Sequence, residues 1–292
     1  MSNERPLTFH LGQDFLFKYC DARGIDILQS LRLKVSPPNQ FNDPFEFLPK
    51  VDFCIDETAM KRVMTDQDAL RSVWEESGRE MPFEDFATMV KAMSENVGLE
   101  HVASARRMFQ ELALLRQSDV VDFISKTYAL ACYSEISDNL LMWSHYTDRH
   151  RGIVVGFNLK NSFFSQATNL MPVSYRSDRV SATYDSEGFA FDEHELSIER
   201  TKSLVWSYER EWRQRFRVKD CTKIHNPDGT TCLYVSIPSD AIASVTFGVR
   251  CRPETEKIVR ELKKQPDLQH VRLSRAVLHE RDFKINVVPP DE

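Results

Sequence analysis

The stretch that most constrains the fold is Ile153 to Phe157, IVVGF, with MWSHYTDRHRG immediately before it. A strand this continuously apolar belongs in the centre of a sheet, where both of its faces are covered. The segment ahead of it places Trp143, His145, Tyr146 and His150 at the strand's mouth. Ser137-Asp138-Asn139 reads as a helix entry with Ser137 or Asp138 as cap, and Leu140 to Tyr146 as the short helix.

Other strands follow from apolar alternation and β-prone residues: Phe15–Tyr19, Leu33–Ser36, Tyr128–Tyr133, Val173–Tyr175, Glu211–Val218, Leu233–Ile237, Ser244–Val249, Val271–Val277 and Phe283–Val288. Residues 26–31 fit a short helix. Pro253 opens another, running to Lys264 with acids in its first turn. Glu193 to Val205 suits a further helix, and residues 176–193 read as irregular. Pro227-Asp228-Gly229 is a hairpin-type turn. Asn42-Asp43-Pro44 marks a turn as well, because the residue before proline avoids the helical region. Phe41 and Phe45 flank it and are expected to pin it to the core.

Between these strands, residues 57–126 change to helical periodicity. Phe83, Phe86, Met89, Val90 and Met93 recur at three- and four-residue steps, as do Met108, Leu112 and Leu115. The methionines read as core filling rather than a ligand groove. The expectation is a single α+β domain over residues 1–292, mostly antiparallel sheets with a helical insertion at about 57–126.

Composition sets further limits. Nine glycines in 292 residues argue against a large open barrel or a glycine-rich nucleotide fold. A net charge of −6 makes broad nucleic-acid binding unexpected, leaving at most a local basic patch at Arg210, Trp212, Arg213 and Arg215. Six cysteines without a CxxC pair suit neither a zinc knuckle nor a disulfide scaffold. The MSNERPLTFH start has no apolar leader, and no apolar run approaches about 18 residues. A cytoplasmic protein without membrane attachment is expected.

Two clusters carry the candidate chemistry. In the first, His145 and His150 are five positions apart, about 140° around a helix, so they cannot form a one-face metal pair, and no metal is expected. His145 is the catalytic candidate, with Trp143 and Tyr146 expected to shield it from water and shift its titration. In the second, WSYEREWR, Glu209 and Glu211 point the same way if the chain is extended. One acid pairing with Arg213 is the structural reading; a carboxylate acting as base or gripping a ribose hydroxyl is the functional one. Asn42 and Asp43 either bond their own turn or orient a polar substrate. Trp143, His145, Tyr146 and one or both glutamates are expected to line one cavity with Lys18 or Tyr19, since their polar groups are costly to bury apart. GxSxG, Walker and GxGxxG motifs are absent.

The set LFKY (16–19), FNDPFE (41–46), CYSE (132–135), MWSHY (142–146), HRGIVVGF (150–157) and SYEREWR (207–213) resembles a widespread bacterial family of unknown function, over about residues 15–290. The order of elements is also distantly similar to the ADP-ribosyltransferase superfold. That similarity implies NAD as cofactor, cleavage of its nicotinamide bond, and ADP-ribose transfer to an unidentified target in bacterial stress or phage defence. It implies NAD contacts from Lys18 and Tyr19 on the first strand, where a His would be expected, and from Tyr133 and Ser134 on the second. Glu209 or Glu211 would be the third-element acid, with Tyr19, Tyr133 or Trp143 stacking the nicotinamide and Tyr146 among the NAD contacts. Two other readings stand beside this one. One is a metal-dependent nuclease or hydrolase built on His145 with Asp43 and the glutamates. The other is a module that senses or binds a small molecule or macromolecule without catalysis.

Overall fold

The computed structural model describes residues 14–53, 61–62, 64–76, 80–95, 121–122, 124–165, 167, 169–185, 188–191 and 198–290. The early strands are β1 (Phe15–Cys20), β2 (Arg32–Val35), β3 (Lys50–Phe53), β4 (Tyr128–Ser134), β5 (Ile153–Asn158), β6 (Leu170–Pro172), β7 (Ser174–Arg176) and β8 (Ser181–Asp185). Next come β9 (Gly188–Phe191), β10 (Thr201–Ser203), β11 (Glu211–Arg217), β12 (Thr222–His225), β13 (Thr231–Ser236), β14 (Ile242–Phe247), β15 (Arg272–Leu278) and β16 (Ile285–Val288). The helices include α1 (Ile25–Ser30), α2 (Gln67–Glu76), α3 (Phe83–Glu95), α4 (Leu140–Tyr146) and α5 (Pro253–Leu262), besides a single turn at Ser162–Ser165. This is an α+β fold with mostly antiparallel sheets. Among the described residues no helix is long and apolar enough to cross a membrane.

The chain divides into two compact units. The described parts of Met1–Asp43, Phe123–Ser177 and Lys202–Glu292 form the first, and those of Pro44–Asp122 and Asp178–Thr201 form the second. The first unit carries an eight-stranded sheet in the order β16-β15-β14-β5-β1-β4-β11-β6 and a smaller one, β12-β13-β2. Within these two sheets the pairings are antiparallel except β14 with β15, and α5 lies between those two in the chain, the crossover a parallel pair requires.

β5 explains the arrangement. It pairs antiparallel with β1 on one edge and β14 on the other. Alternation then sends Ile153, Val155 and Phe157 into a large core with Leu16, Leu33, Val35, Ala131 and Tyr133. Val154 faces the other way, into a smaller core with Tyr19, Met142 and Trp143. All four of these β5 side chains are fully buried. Covering two faces requires two sets of partners, and α4 belongs to the second set.

The loop from α4 into β5 is tightly held. Asp148, Arg149 and His150 all have positive φ, at 48°, 57° and 68°. Such left-handed residues persist where neighbours over-determine them. Here the His150 carbonyl accepts from Arg250 N–H (2.9 Å) and the Gly152 carbonyl from Gly248 N–H (3.0 Å). A Cβ on Gly152 would lie 2.0 Å from the Cys20 carbonyl oxygen, so only glycine fits against that backbone.

Several expectations are corrected. The α4 cap is Asn139, not Ser137 or Asp138: its side chain accepts from Leu141 and Met142 N–H. Residues 181–185 and 188–191, expected to be irregular, are strands. Pairing of β8 with β3 and β9 supplies long-range hydrogen bonds that local sequence does not display. The helix expected over 193–205 is instead a 3-10 turn at Ile198–Arg200, then β10, then a second 3-10 turn at Leu204–Glu209, with 192–197 outside the described residues. Phe45 is 60% exposed, and Phe47 is the buried phenylalanine of that turn. In the second unit Phe86 is buried, whereas Met89 and Met93 are exposed, so those two do not fill a core. Met108, Leu112 and Leu115 lie outside the described residues.

Gly152→Ala should destabilise the protein by about 1–3 kcal/mol or more, the cost of overpacking against rigid atoms. A lowered urea midpoint with unchanged slope is the expected measurement.

Candidate functional site

The site is built where α4, β1, β10 and β11 meet within the first unit. Asn139 ties three of its parts together. Its Oδ1 caps α4, its Nδ2 donates to the Tyr208 carbonyl (3.1 Å), and its N–H donates to the Tyr19 hydroxyl (3.3 Å). On α4 the helical period turns Met142, Trp143 and Tyr146 inward. Trp143 is fully buried, donates Nε1–H to the Ser137 carbonyl (2.8 Å) and meets Tyr19 edge-on. His145 faces outward, exposed, with Nδ1 3.2 Å from the Tyr208 hydroxyl.

Four buried charges lie behind α4. Lys202 Nζ donates to Glu209 Oε2 at 2.6 Å and to Glu211 Oε2 at 3.1 Å. Arg213 grips Glu211 with Nε at 2.8 Å and Nη2 at 3.1 Å. All four side chains are at most 6% exposed. Glu211 and Arg213 share one face of β11 because they are two apart on a strand. Glu209 ends the 3-10 turn, and Arg210, left-handed at φ 44°, links it to β11. The Tyr146 hydroxyl donates to Glu209 Oε1 (2.6 Å) and accepts from Asn42 Nδ2 (3.3 Å). Ser134 Oγ donates to the Glu209 carbonyl, and the Glu211 N–H to the Tyr175 hydroxyl.

The electrostatics follow from this geometry. Burial pushes the Glu211 carboxyl up, but Arg213 and Lys202 outweigh it and bring it down to about 2. Tyr146 is raised well above the ordinary tyrosine range, by burial first and then by the Glu209 charge. His150 is lowered by burial and by Arg250.

A cleft of about 520 Å³ opens beside Tyr146. Lys18 and Tyr19 of β1 line it together with Tyr146. Arg23, Arg32, Lys34 and Tyr234 contribute the rest of its basic and aromatic lining. Asp21, Asp26 and Asp228 are its acids, and Asp21 engages Arg23 at 2.6 Å.

The candidate residues thus divide. Asn42, Tyr146, Glu209, Glu211 and Arg213 form one connected set, and Lys18 and Tyr19 share the cleft with Tyr146. His145 reaches this set through Tyr208 rather than through a carboxylate, and solvent exposure replaces the expected shielding. Tyr133, Ser134 and Trp143 lie within the frame: each is at most 2% exposed, and Tyr133 donates to Gln214 Oε1. Asp43 is buried next to Asn42. Among the described residues no three His, Cys, Asp or Glu side chains are grouped to hold a metal.

Lys202 was not singled out in the sequence. It precedes Glu209 by seven positions, an odd separation that gives the two no common face on a strand, and the β10 strand that carries it, paired with β7, was expected to be helix. Arg23, Arg32, Lys34 and Tyr234 also escaped notice. Alternation on β2, with Leu33 and Val35 buried, would have placed Arg32 and Lys34 on one outer face.

A family described as "Protein of unknown function (DUF2971)" matches residues 142–214, from α4 through Gln214. The matched stretch contains Tyr146, Lys202, Glu209, Glu211 and Arg213, and is narrower than the resemblance over residues 15–290. No curated protein and no solved structure matches the chain.

The Glu211 shift makes stability pH-dependent. Its folded pKa lies below the ordinary value of 4.5, so its contribution is present above that value and lost as pH falls through about 2. The size is about 3 kcal/mol, from about 1.36 kcal/mol per pH unit. Glu211→Gln should flatten unfolding free energy across that window while costing about 3–5 kcal/mol near neutrality, because Arg213 loses its buried partner. Chemical denaturation at a series of pH values measures both.

Proposed function

We propose that the cleft beside Tyr146 binds a phosphorylated, sugar-bearing ligand of nucleotide class. NAD is the candidate ligand, and cleavage of its nicotinamide bond with ADP-ribose transfer the candidate reaction. The observation that carries this reading is the combination of Arg32 and Lys34 with Tyr146 and Tyr234 around one concavity of about 520 Å³; Lys18 and Tyr19 belong to its wall, with the Lys18 ammonium on the Cys132 carbonyl and the Tyr19 ring packed on Trp143. Cationic side chains suit phosphate oxygens, aromatic rings suit a base or pyridinium face, and the volume suits a small ligand.

The reaction would need negative charge beside the ribose. As the pyridinium–ribose bond breaks, the sugar carbon gains oxocarbenium character, which a nearby anion stabilises. Glu209 lies one hydrogen bond behind Tyr146, so its influence on the cleft would pass through that phenol. A second reading, ligand binding without catalysis, is favoured by a specific feature: Lys202 and Arg213 already neutralise both glutamates. The metal-dependent hydrolase reading has no comparable support.

Calorimetric titration with NAD, ADP and inorganic pyrophosphate, followed by an assay for released nicotinamide, separates these readings. Binding with release that Glu209→Gln abolishes at unchanged NAD affinity supports the enzyme; binding without release supports the sensor. Failure of all three probes to bind ends the nucleotide reading. The double variant Arg32→Ala/Lys34→Ala should weaken NAD binding about tenfold or more through lost charge-assisted contacts.

A further inference from the structure

We infer that Lys202 is a positioning residue that fixes the hydrogen-bond polarity of Tyr146 and thereby makes the cleft select a ligand hydroxyl. The inference rests on the reading that this cleft binds a sugar-bearing ligand. It goes beyond that reading in naming the group recognised and the residue that sets the recognition.

The argument is a hydrogen-bond inventory. A tyrosine hydroxyl has one hydrogen to give. Tyr146 gives it to Glu209 Oε1 at 2.6 Å. Glu209 cannot readily turn away, because its other oxygen lies 2.6 Å from Lys202 Nζ and both side chains are almost fully buried. The Tyr146 oxygen is therefore left as an acceptor. It already receives one N–H of Asn42, at 3.3 Å, and Tyr146 itself lines the cleft. A phenol oxygen left only with acceptor capacity matches a ligand hydroxyl, which can give its hydrogen to Tyr146. A phosphate or carbonyl oxygen in the same place would meet the Tyr146 lone pairs with no hydrogen between.

Lys202 matters because Glu209 is a buried anion that needs a cation. Without the ammonium, the Glu209 carboxylate loses the ion pair that fixes its Oε2 and gains freedom to turn away from Tyr146. A Glu209 that turns away frees the phenol hydrogen and reverses what the cleft offers a ligand.

The test has a ligand-free arm and a ligand arm, using Lys202→Met, Lys202→Arg and Tyr146→Phe. In the ligand-free arm, isotope-labelled Tyr146 ring resonances should shift in Lys202→Met and stay near wild type in Lys202→Arg. A fall in melting temperature with unmoved Tyr146 resonances would mean that Lys202 serves stability alone, and would overturn the positioning role. In the ligand arm the probes are AMP and 2′,3′-dideoxy-AMP, which differ only in the sugar hydroxyls. Wild type and Lys202→Arg should prefer AMP by about tenfold. Lys202→Met and Tyr146→Phe should lose that preference while retaining dideoxy-AMP affinity. Equal affinity of the wild type for both probes refutes hydroxyl selection. If neither probe binds the wild type, hydroxyl selection falls together with the nucleotide reading, while the resonance shift still decides the role of Lys202. Should Lys202→Met fail to fold, Tyr146→Phe carries the ligand arm, and a Lys202→Arg that shifts the Tyr146 resonances or loses the preference overturns the positioning role.

Discussion

The structure around the site depends on the burial of four charges in one chain: Glu209, Lys202, Glu211 and Arg213. Each would cost several kcal/mol to bury alone, and that cost is offset only if every member keeps its partner at hydrogen-bond distance. The network is neutral as a whole, two acids against two bases. Lys202 is its bridge, since it alone of the two bases contacts both acids. β11 contributes two members, the 3-10 turn one and β10 one, so these elements must lie where they do for the charges to close. Apolar residues of equal volume could fill such a space at no loss of stability. Stability alone therefore does not account for a charged network in this position.

The network has a rigid wall to rest against. β5 is buried on both faces, with Val154 turned toward Trp143 and its two neighbours toward the larger core. Trp143 then fixes α4, and α4 fixes Tyr146 one turn later. Its other side chains divide by period, which is why His145, between two inward residues, comes out into solvent. A helix of seven residues is too short to be stable by itself. Its order derives from the Asn139 cap, from the Trp143 anchor and from the left-handed loop that follows.

How much of this was legible in the sequence can be argued element by element. IVVGF showed itself as the central strand because its apolar run leaves no polar face. The α4 helix, the strand at 211–217 and the hairpin at 227–229 were readable from period and turn residues. The Glu211–Arg213 pair was readable too, as a strand spacing of two. β8, β9 and β10 were not, because a strand stabilised by a distant partner needs no strong local signal. Lys202 was hidden for the same reason. Tyr133 and Ser134 entered through the similarity to the ADP-ribosyltransferase superfold, which carries no information on local hydrogen bonding. In the structure each spends its polar atom on the frame, as Trp143 does: Tyr133 on Gln214, Ser134 on the Glu209 carbonyl and Trp143 on the Ser137 carbonyl.

Arg210 is where frame and site are joined. A non-glycine residue in the left-handed region costs about 1 kcal/mol or more, so something must hold it there. Its N–H donates to the Ser207 carbonyl, closing the 3-10 turn, and its carbonyl accepts from Glu135 N–H, fastening the link to the end of β4. The flanking backbone is held equally well, with the Tyr208 carbonyl on Asn139 and the Glu209 carbonyl on Ser134. The strain at one residue thus sits among one hydrogen bond within the turn and three from outside it, and those bonds orient Glu209 before any charge is considered. The ion pair to Lys202 then acts on a carboxylate that is already placed. That order of causes, backbone first and charge second, explains how a short 3-10 turn at the surface can present a buried acid to Tyr146 with so little freedom to deviate.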